Sequence, residues 1–582
     1  MKSEKKKIIK KRILPCILTC ISLPLIVCLA IPFETFANNL DEFVFSIYDF
    51  LPLTLTFGLL FALIFFNIFL FLPERAYKIC TRIYLTLAIM FYLQGTFFTK
   101  GMNSLAGDSL GSSAPSNAYV IFNGILWLAV IALFIGISFF KDKKGIVSTI
   151  TLVASLMILF TQVITPVSIS ISNSRVYTPS IERVASEDSM YDHKIATFEN
   201  LTTISKNRNV FYFCIDRFDE YYAEEAYRND PTLFDMLEGF TSYNDHVSLY
   251  GHTYPSIAYM LTNKRLDINS SRAEHLNNVY KDDNTMSHLA NNGYMVNLYT
   301  ERYYAFNDAN DLPDYVSNIA VGDSYKVTNP AMLSLNMIRM SMYRCLPNFM
   351  KNITGNLATN SFNCWVNFVA DNGYAEYTVE PDEVYKHVSN NEFKETDKNV
   401  FSFIHLQGIH GTNVEYNDGK IEQSRSTVKS IVKQVRENFK VVKEFISALK
   451  KAGVYKDATI IITGDHSAPV DDAVAPAASR LTALFVKPSG VGEGKLEFSS
   501  KQVAHENIWP TIFKSEGIAM PEDYGKSVSD IEEGVNQTRE YIWHTYVPFS
   551  LDEYVYQING SARKFENWEL TKHTHLDKNI MG

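Results

Sequence analysis

The chain has 582 residues, 47% of them apolar, and a formal net charge of −9, which allows several domains and a large buried core. The average hides two unlike parts. The first 200 residues carry 17 Lys and Arg against 13 Asp and Glu, while the remainder is net acidic, and all 13 histidines lie beyond residue 190. An acidic second part gives no electrostatic reason to bind nucleic acid, so an anionic substrate must be gripped locally, by a metal or a few cations.

Five apolar runs near the N-terminus approach the 20 or so residues that cross a bilayer: Ile13–Phe33, Leu53–Leu72, Ile83–Phe98, Ala118–Phe140 and Ile146–Pro166. The third is short and must borrow flanking residues. No small-residue cleavage site ends the first, and four more follow, which argues against a removed signal peptide. The opening "MKSEKKKIIKKR", the loop with Arg75, Lys78 and Arg82, and "KDKKG" at 141–145 are basic. The intervening loops, 34–52 and the one near Lys100 and Asp108, are acidic or neutral. That alternation predicts an inner N-terminus, five crossings and an outer location for everything beyond Pro166. Residues 1–166 are therefore expected to form a five-helix membrane domain. Residues 167–207, polar and aperiodic, read as a linker over the outer membrane face, and 208–582 as an extracytoplasmic domain.

Of the seven cysteines, Cys16, Cys20, Cys28 and Cys80 accompany apolar segments and Cys214 lies in a strand-like run. Only Cys345 and Cys364 are left as a possible pair, and no C-x-x-C pattern occurs.

Beyond residue 208 the pattern becomes α/β. "NVFYFCID" is a continuous apolar run ending at Asp216, as a strand covered on both faces would be. "NVFSFIHLQGIHG" repeats it, with His405 expected to point into the sheet and a polar loop carrying His410. In the segment that follows, Val428, Ile431, Val432, Val435, Phe439, Val442, Phe445, Ile446 and Leu449 share one helical face, and Gly453 stops the helix. "ATIIITGDH" is another buried strand, ending in Asp465 and His466, and "LTALFVKPSG" supplies one more. Chemistry in such sheets gathers beyond the carboxyl ends of strands, where Asp216, His410, Asp465 and His466 all fall.

Five pieces in order, "VFYFCIDRFD", "GHTYPSIAYMLTNKR", "FIHLQGIHGT", "TIIITGDHSAP" and "VAHENIWPTIFKSEGI", with the late "YQINGSARKFENWEL", carry a resemblance. The chain from about 208 to 560 resembles the alkaline phosphatase/sulfatase superfamily, and within it the membrane branch of lipoteichoic acid synthases and lipid A phosphoethanolamine transferases. The resemblance implies a five-helix transmembrane bundle before an extracytoplasmic α/β sulfatase-like domain with a mixed, mostly parallel sheet flanked by helices. It implies a divalent cation held by Asp216, Thr253, Asp465 and His466, with Thr253 as nucleophile and His410 on the substrate side. Carboxylate and imidazole ligands suit Mn²⁺ or Zn²⁺ better than Ca²⁺, with Mg²⁺ also open. Metal coordination can lower the pKa of the Thr253 hydroxyl, and the helix it precedes would favour a phosphate.

Sulfatases carry Cys or Ser in C/S-x-P-S-R because that side chain is oxidised to an aldehyde. Here Thr253 and Ile257 stand at the nucleophile and arginine positions, so a phospho-threonine intermediate is expected and sulfate-ester cleavage is not. Lys264, near the arginine of the sulfatase segment, is a candidate phosphate contact or a solvated helix-end lysine. His252 and His505 are candidates for a supporting role or a second metal. "NGYMVNLYTERYY" lacks the histidine of the polyglycerolphosphate synthases, and Arg302 is its only evident cation. The expected donor is a phospholipid, contributing phosphoglycerol or phosphoethanolamine, and the expected acceptor a cell-envelope glycan or lipid. A hydrolase with the same site, or a non-catalytic membrane regulator, remains as an alternative.

Overall fold

The structure is a computed structural model. It describes residues 2–40, 43, 45–98, 117–139, 146–178, 194–281, 283–301, 304–307, 309–354, 365–409, 414–417, 420–423, 428–467, 481–521, 524–547 and 550–577. The chain divides into two compact units. One comprises residues 1–191 with 323–369, and the other 192–322 with 370–582.

The first unit is built on apolar helices. Lys2–Leu25 runs through a π-turn, Ile26–Ala30, into Ile31–Ala37, and is followed by Ile47–Phe71, Glu74–Phe97, Asn117–Phe139 and Ile146–Ser172. Local chemistry sets the breaks. A capping box opens the Ile47 helix, the Ser46 N–H donating to Asp49 Oδ2 at 2.7 Å, and Pro73 stands at the N-cap of the Glu74 helix. Four stretches, Ile9–Ala37, Ile47–Phe71, Glu74–Phe97 and Leu152–Ser172, are long and apolar enough to cross a membrane, and the Asn117 helix is a fifth apolar rod. Leu59, Leu60, Ile64 and Phe71 turn outward, which fits membrane anchoring. The short third run does borrow its flank, since its helix starts at Glu74. Helix Pro330–Cys345, far along the chain, packs Leu333, Met337 and Met340 among Phe33, Phe36, Phe45 and Phe50 of this unit. Cys345 is buried, and Cys364 lies outside the described residues.

The described parts of the expected linker carry regular structure. Residues 167–172 continue the last apolar helix, while Lys194–Ala196 and Thr203–Ser205 are short strands paired with Ile319–Val321 and Lys394–Thr396. Polar composition hid them, because each is a three-residue edge ladder with no apolar period of its own.

The second unit is organised by a seven-stranded sheet: β1 (Asn209–Ile215), β2 (Thr241–Val247), β3 (Tyr294–Tyr299), β4 (Asn399–Leu406), β5 (Ala458–Thr463), β6 (Leu484–Lys487) and β7 (Glu497–Ala504). The spatial order is β7-β2-β6-β5-β1-β4-β3; β6 runs antiparallel to both neighbours and every other pairing is parallel. The six parallel strands thus point their carboxyl ends the same way. Helix Val428–Lys451 covers one face, burying Ile431, Val435, Phe439, Val442, Phe445, Ile446 and Leu449 on the face its spacing predicts. Helices Thr253–Thr262 and Ile508–Glu516 cover the other, through Ile257, Leu261, Trp509 and Phe513. An antiparallel sheet, β8 (Thr538–Val547), β9 (Ser550–Asn559) and β10 (Trp568–Leu576), closes the unit.

Candidate active site

Asp216 follows β1, Thr253 lies in the connection after β2, Asp465 and His466 follow β5, and His505 follows β7. Parallel pairing brings these strand ends to one edge of the sheet. Two glycines let the neighbouring turns press against the backbone just beyond β1, at Asp216 and Phe218. Gly408 has φ +62°, and a Cβ there would lie 2.1 Å from Asp216 O; one on Gly464 would lie 2.6 Å from Phe218 O. The closeness is used: the Asp216 N–H donates to Leu406 O and Asp216 O accepts from the Ile409 N–H, both at 2.9 Å. Arg217 takes a left-handed φ of +54°, a strained conformation for a residue with a Cβ, and its N–H donates to Asp465 Oδ1 at 2.9 Å.

Ligand atoms of Asp216, Asp465 and His466 lie within 4.8 Å of one another, all in buried side chains. The His466 Nδ1–H donates to Ser467 O at 2.9 Å, since a carbonyl can only accept, so the Nε2 lone pair faces inward. Thr253 Oγ1 is 3.2 Å from that Nε2, Asp465 Oδ2 is 3.5 Å away and Asp216 Oδ1 is 3.7 Å away. Neither Asp216 Oδ1 nor Asp465 Oδ2 has a hydrogen-bond partner. Burial, reinforced by the Asp465 charge, pushes the Asp216 carboxyl well above the usual range. Burial also acts to raise Asp465, but His466, His405 and the Arg217 N–H outweigh it and hold that carboxyl low. Two buried carboxylates with orphaned oxygens beside an imidazole lone pair are a donor set short of positive charge, which fits a divalent cation.

Thr253 is the first residue of its helix, and His252 occupies the N-cap. Tyr254 is extended (φ −93°, ψ 123°), so the Thr253 hydroxyl stands ahead of the first regular turn and caps nothing. The His252 Nε2–H donates to His544 O at 2.8 Å, and its ring lies 4.6 Å from that of Trp543 and 6.3 Å from that of His466. The His505 Nε2–H donates to Gly464 O at 3.0 Å, its Nδ1 has no partner, and burial lowers its pKa to about 4. Its ring is 5.1 Å from that of His246, equally buried. Lys264 is not brought in: it follows the C-cap of the ten-residue Thr253 helix, roughly 15 Å along the axis. His410 and Arg302 lie outside the described residues.

Three contributors have no signature in the sequence. His405 is buried on β4 with Nδ1 3.0 Å from Thr300 Oγ1, and it acts electrostatically on Asp465. Arg217 serves through its backbone. The third is β8, which pairs with the approach to Thr253: the Ile542 N–H donates to Leu249 O (2.7 Å) and the Gly251 N–H to Ile542 O (3.1 Å). Gly251 is required there, since a Cβ would fall 2.4 Å from the Trp543 ring. Gly251, two residues before Thr253, is the one trace of that pairing in the sequence.

The sulfatase family model matches residues 208–518, more than half of the chain, and the chain belongs to that family. No curated protein sequence matches. Solved structures similar to this chain include the lipoteichoic acid synthase LtaP from Listeria monocytogenes, at 13% identity over 68% of this chain and 91% of that one (TM-score 0.34). A phosphonate monoester hydrolase from Silicibacter pomeroyi matches at 13% identity over 64% and 89% (TM-score 0.38). An alkaline phosphatase superfamily protein from Vibrio parahaemolyticus matches at 13% over 66% and 82% (TM-score 0.33).

Proposed function

We propose that this chain is a membrane-anchored, metal-dependent phosphotransferase. Thr253 is the nucleophile that takes a phosphoester from a phospholipid headgroup, of phosphoglycerol or phosphoethanolamine type, and passes it to a glycan or lipid of the cell envelope. Residues 1–166 are the anchor and 208–582 an extracytoplasmic catalytic domain, a sidedness supported by the alternation of basic and non-basic loops. The observation that carries the chemistry is the Thr253 hydroxyl 3.2 Å from His466 Nε2, beside two carboxylate oxygens without partners. A threonine cannot supply the aldehyde of a sulfatase, but its hydroxyl can attack phosphorus.

Asp216, Asp465, His466 and Thr253 would hold the ion, Mn²⁺ or Zn²⁺ for this donor set with Mg²⁺ as the harder alternative, which supplies Lewis acidity toward the hydroxyl and a phosphoryl oxygen. The protein positions everything else. His466 is fixed by Ser467 O, and Asp465 by the Arg217 N–H, so neither turns to meet the substrate. Thr253 Oγ1 bonds to phosphorus as its proton passes to solvent. The bond from phosphorus to the lipid glycerol oxygen breaks, and that oxygen takes up a proton to leave as diacylglycerol. The acceptor hydroxyl then attacks the phospho-threonine and restores Thr253.

Product analysis with a headgroup-labelled phospholipid tests this. The labelled peptide containing Thr253 should appear with donor alone, and label should pass to an added acceptor glycan. Thr253→Ala should abolish diacylglycerol release, whereas Thr253→Ser, which keeps a hydroxyl at the site, should retain part of it. Undiminished turnover by folded Thr253→Ala protein would overturn the nucleophile. Label released only to water would make the enzyme a hydrolase.

A further inference from the structure

Residues 323–369 leave the second unit, join the first and return. Their core is helix Pro330–Cys345, followed by Asn348–Thr354. The attachment is polar as well as apolar, in a setting where polar groups are costly. Gln94, fully buried on the Glu74 helix, accepts at Oε1 from Asn123 Nδ2 (2.8 Å) and Trp127 Nε1 (2.9 Å) of the Asn117 helix. Its Nε2 donates to Phe98 O (3.0 Å) and Asn348 Oδ1 (3.3 Å), and the Asn348 N–H donates to Asn123 Oδ1 (3.0 Å). Arg344 donates through Nε to Gly95 O (2.9 Å) and pairs with Glu34 at 3.1 Å. Gln94 and Asn123 sit in apolar stretches of their helices, and Asn348 satisfies groups on both that lipid could not.

The outer surface of the segment is also suited to lipid. Met342 and Phe349 are about half exposed, as are Phe97 and Phe122 of the apolar helices, and the Phe349 ring lies beside Gly124. We propose that residues 330–354 are a second membrane anchor of the catalytic unit, two consecutive helices sealed to the apolar helices by the Gln94–Asn123–Asn348 cluster and facing lipid through Met342 and Phe349. The chain then joins the two units at three places, near residues 191, 322 and 369, so cutting the first connection alone cannot free the catalytic unit. The proposal depends on the apolar helices entering a bilayer and is independent of the chemistry at Thr253.

The test uses the full chain in liposomes. A protease site is placed within residues 179–193, and a second form adds sites between Thr328 and Asn329 and within 355–364. After cleavage at the first site and a high-salt wash, the fragment beginning near residue 192 should still sediment with the liposomes and dissolve only in detergent. After cleavage at all three sites its two pieces should appear in the supernatant. Release by the first cut alone would overturn the proposal, whether or not the protein transfers phosphoesters. Retention after all three cuts would overturn it too, by showing that something other than residues 330–354 holds the unit. Should the three-site form fail to fold, the single-site form still decides the first outcome.

Discussion

Asp465 divides its carboxylate between two tasks. Oδ1 is committed to the Arg217 N–H, and Oδ2 has no partner while facing His466 and Asp216. Asp465→Asn can keep the first task while losing the charge needed for the second. We expect metal affinity to fall at least about tenfold, read by metal analysis and titration of the purified protein. Equal metal content in the two proteins would remove Asp465 from the ligand set. The four residues Asp216, Thr253, Asp465 and His466 were legible because each stands just past an apolar run or inside a motif whose residue types have few other uses. His405 and Trp543 were not. Their sequence contexts are those of ordinary strand residues, and only pairing between distant strands puts them beside Asp465 and His252.

Elements buried on both faces announced themselves in the sequence. β1, β4, β5 and β6 are continuous apolar runs, and the Val428 helix has an uninterrupted stripe. β2 ("TSYNDHV") and β7 ("EFSSKQVA") did not, because they are polar strands at one side of the sheet whose pairing is set by their neighbours. β8 is tied to both by a single side chain. Arg539, 2% exposed, pairs with Asp245 of β2 at 3.0 Å and donates to Val503 O of β7 and Gly560 O. Arg539→Ala leaves Asp245 buried without its countercharge and should cost about 3–5 kcal/mol in denaturant unfolding. Arg539→Ala/Asp245→Ala should recover part of that. Because β8 also holds the backbone before Thr253, the single variant should lose turnover even where it remains folded. A change below about 1 kcal/mol would mean the pair is solvated.

At the scale of the whole molecule, acid should open the catalytic unit. His246, His275 and His505 are buried and His252 is half-buried, and burial lowers the pKa of each, that of His252, His275 and His505 to about 4. A histidine held below its unfolded value near 6.5 binds its proton more readily in the unfolded chain. Its contribution is therefore complete above about pH 6.5 and disappears as pH falls toward 4. His275, outside the proposed ligand set, isolates the effect: His275→Leu should flatten the loss between pH 6.5 and 5 by about 1–2 kcal/mol. Unchanged acid sensitivity would show that His275 charges without unfolding.

The distribution of charge along the chain carries the remaining prediction. Its basic stretches flank the apolar helices at alternate ends, and the net-acidic remainder follows the last of them. Lys and Arg are retained on the cytoplasmic side during insertion, so the N-terminal tail should face inward and the Thr253 site outward. A membrane-impermeant thiol reagent applied to intact cells should label Glu566→Cys, at an exposed position, above the background of the native cysteines. Ser3→Cys should be labelled only after the membrane is opened. The reverse pattern would put the site in the cytoplasm, where a donor of the outer leaflet could not reach Thr253, and the envelope acceptor would fall with it.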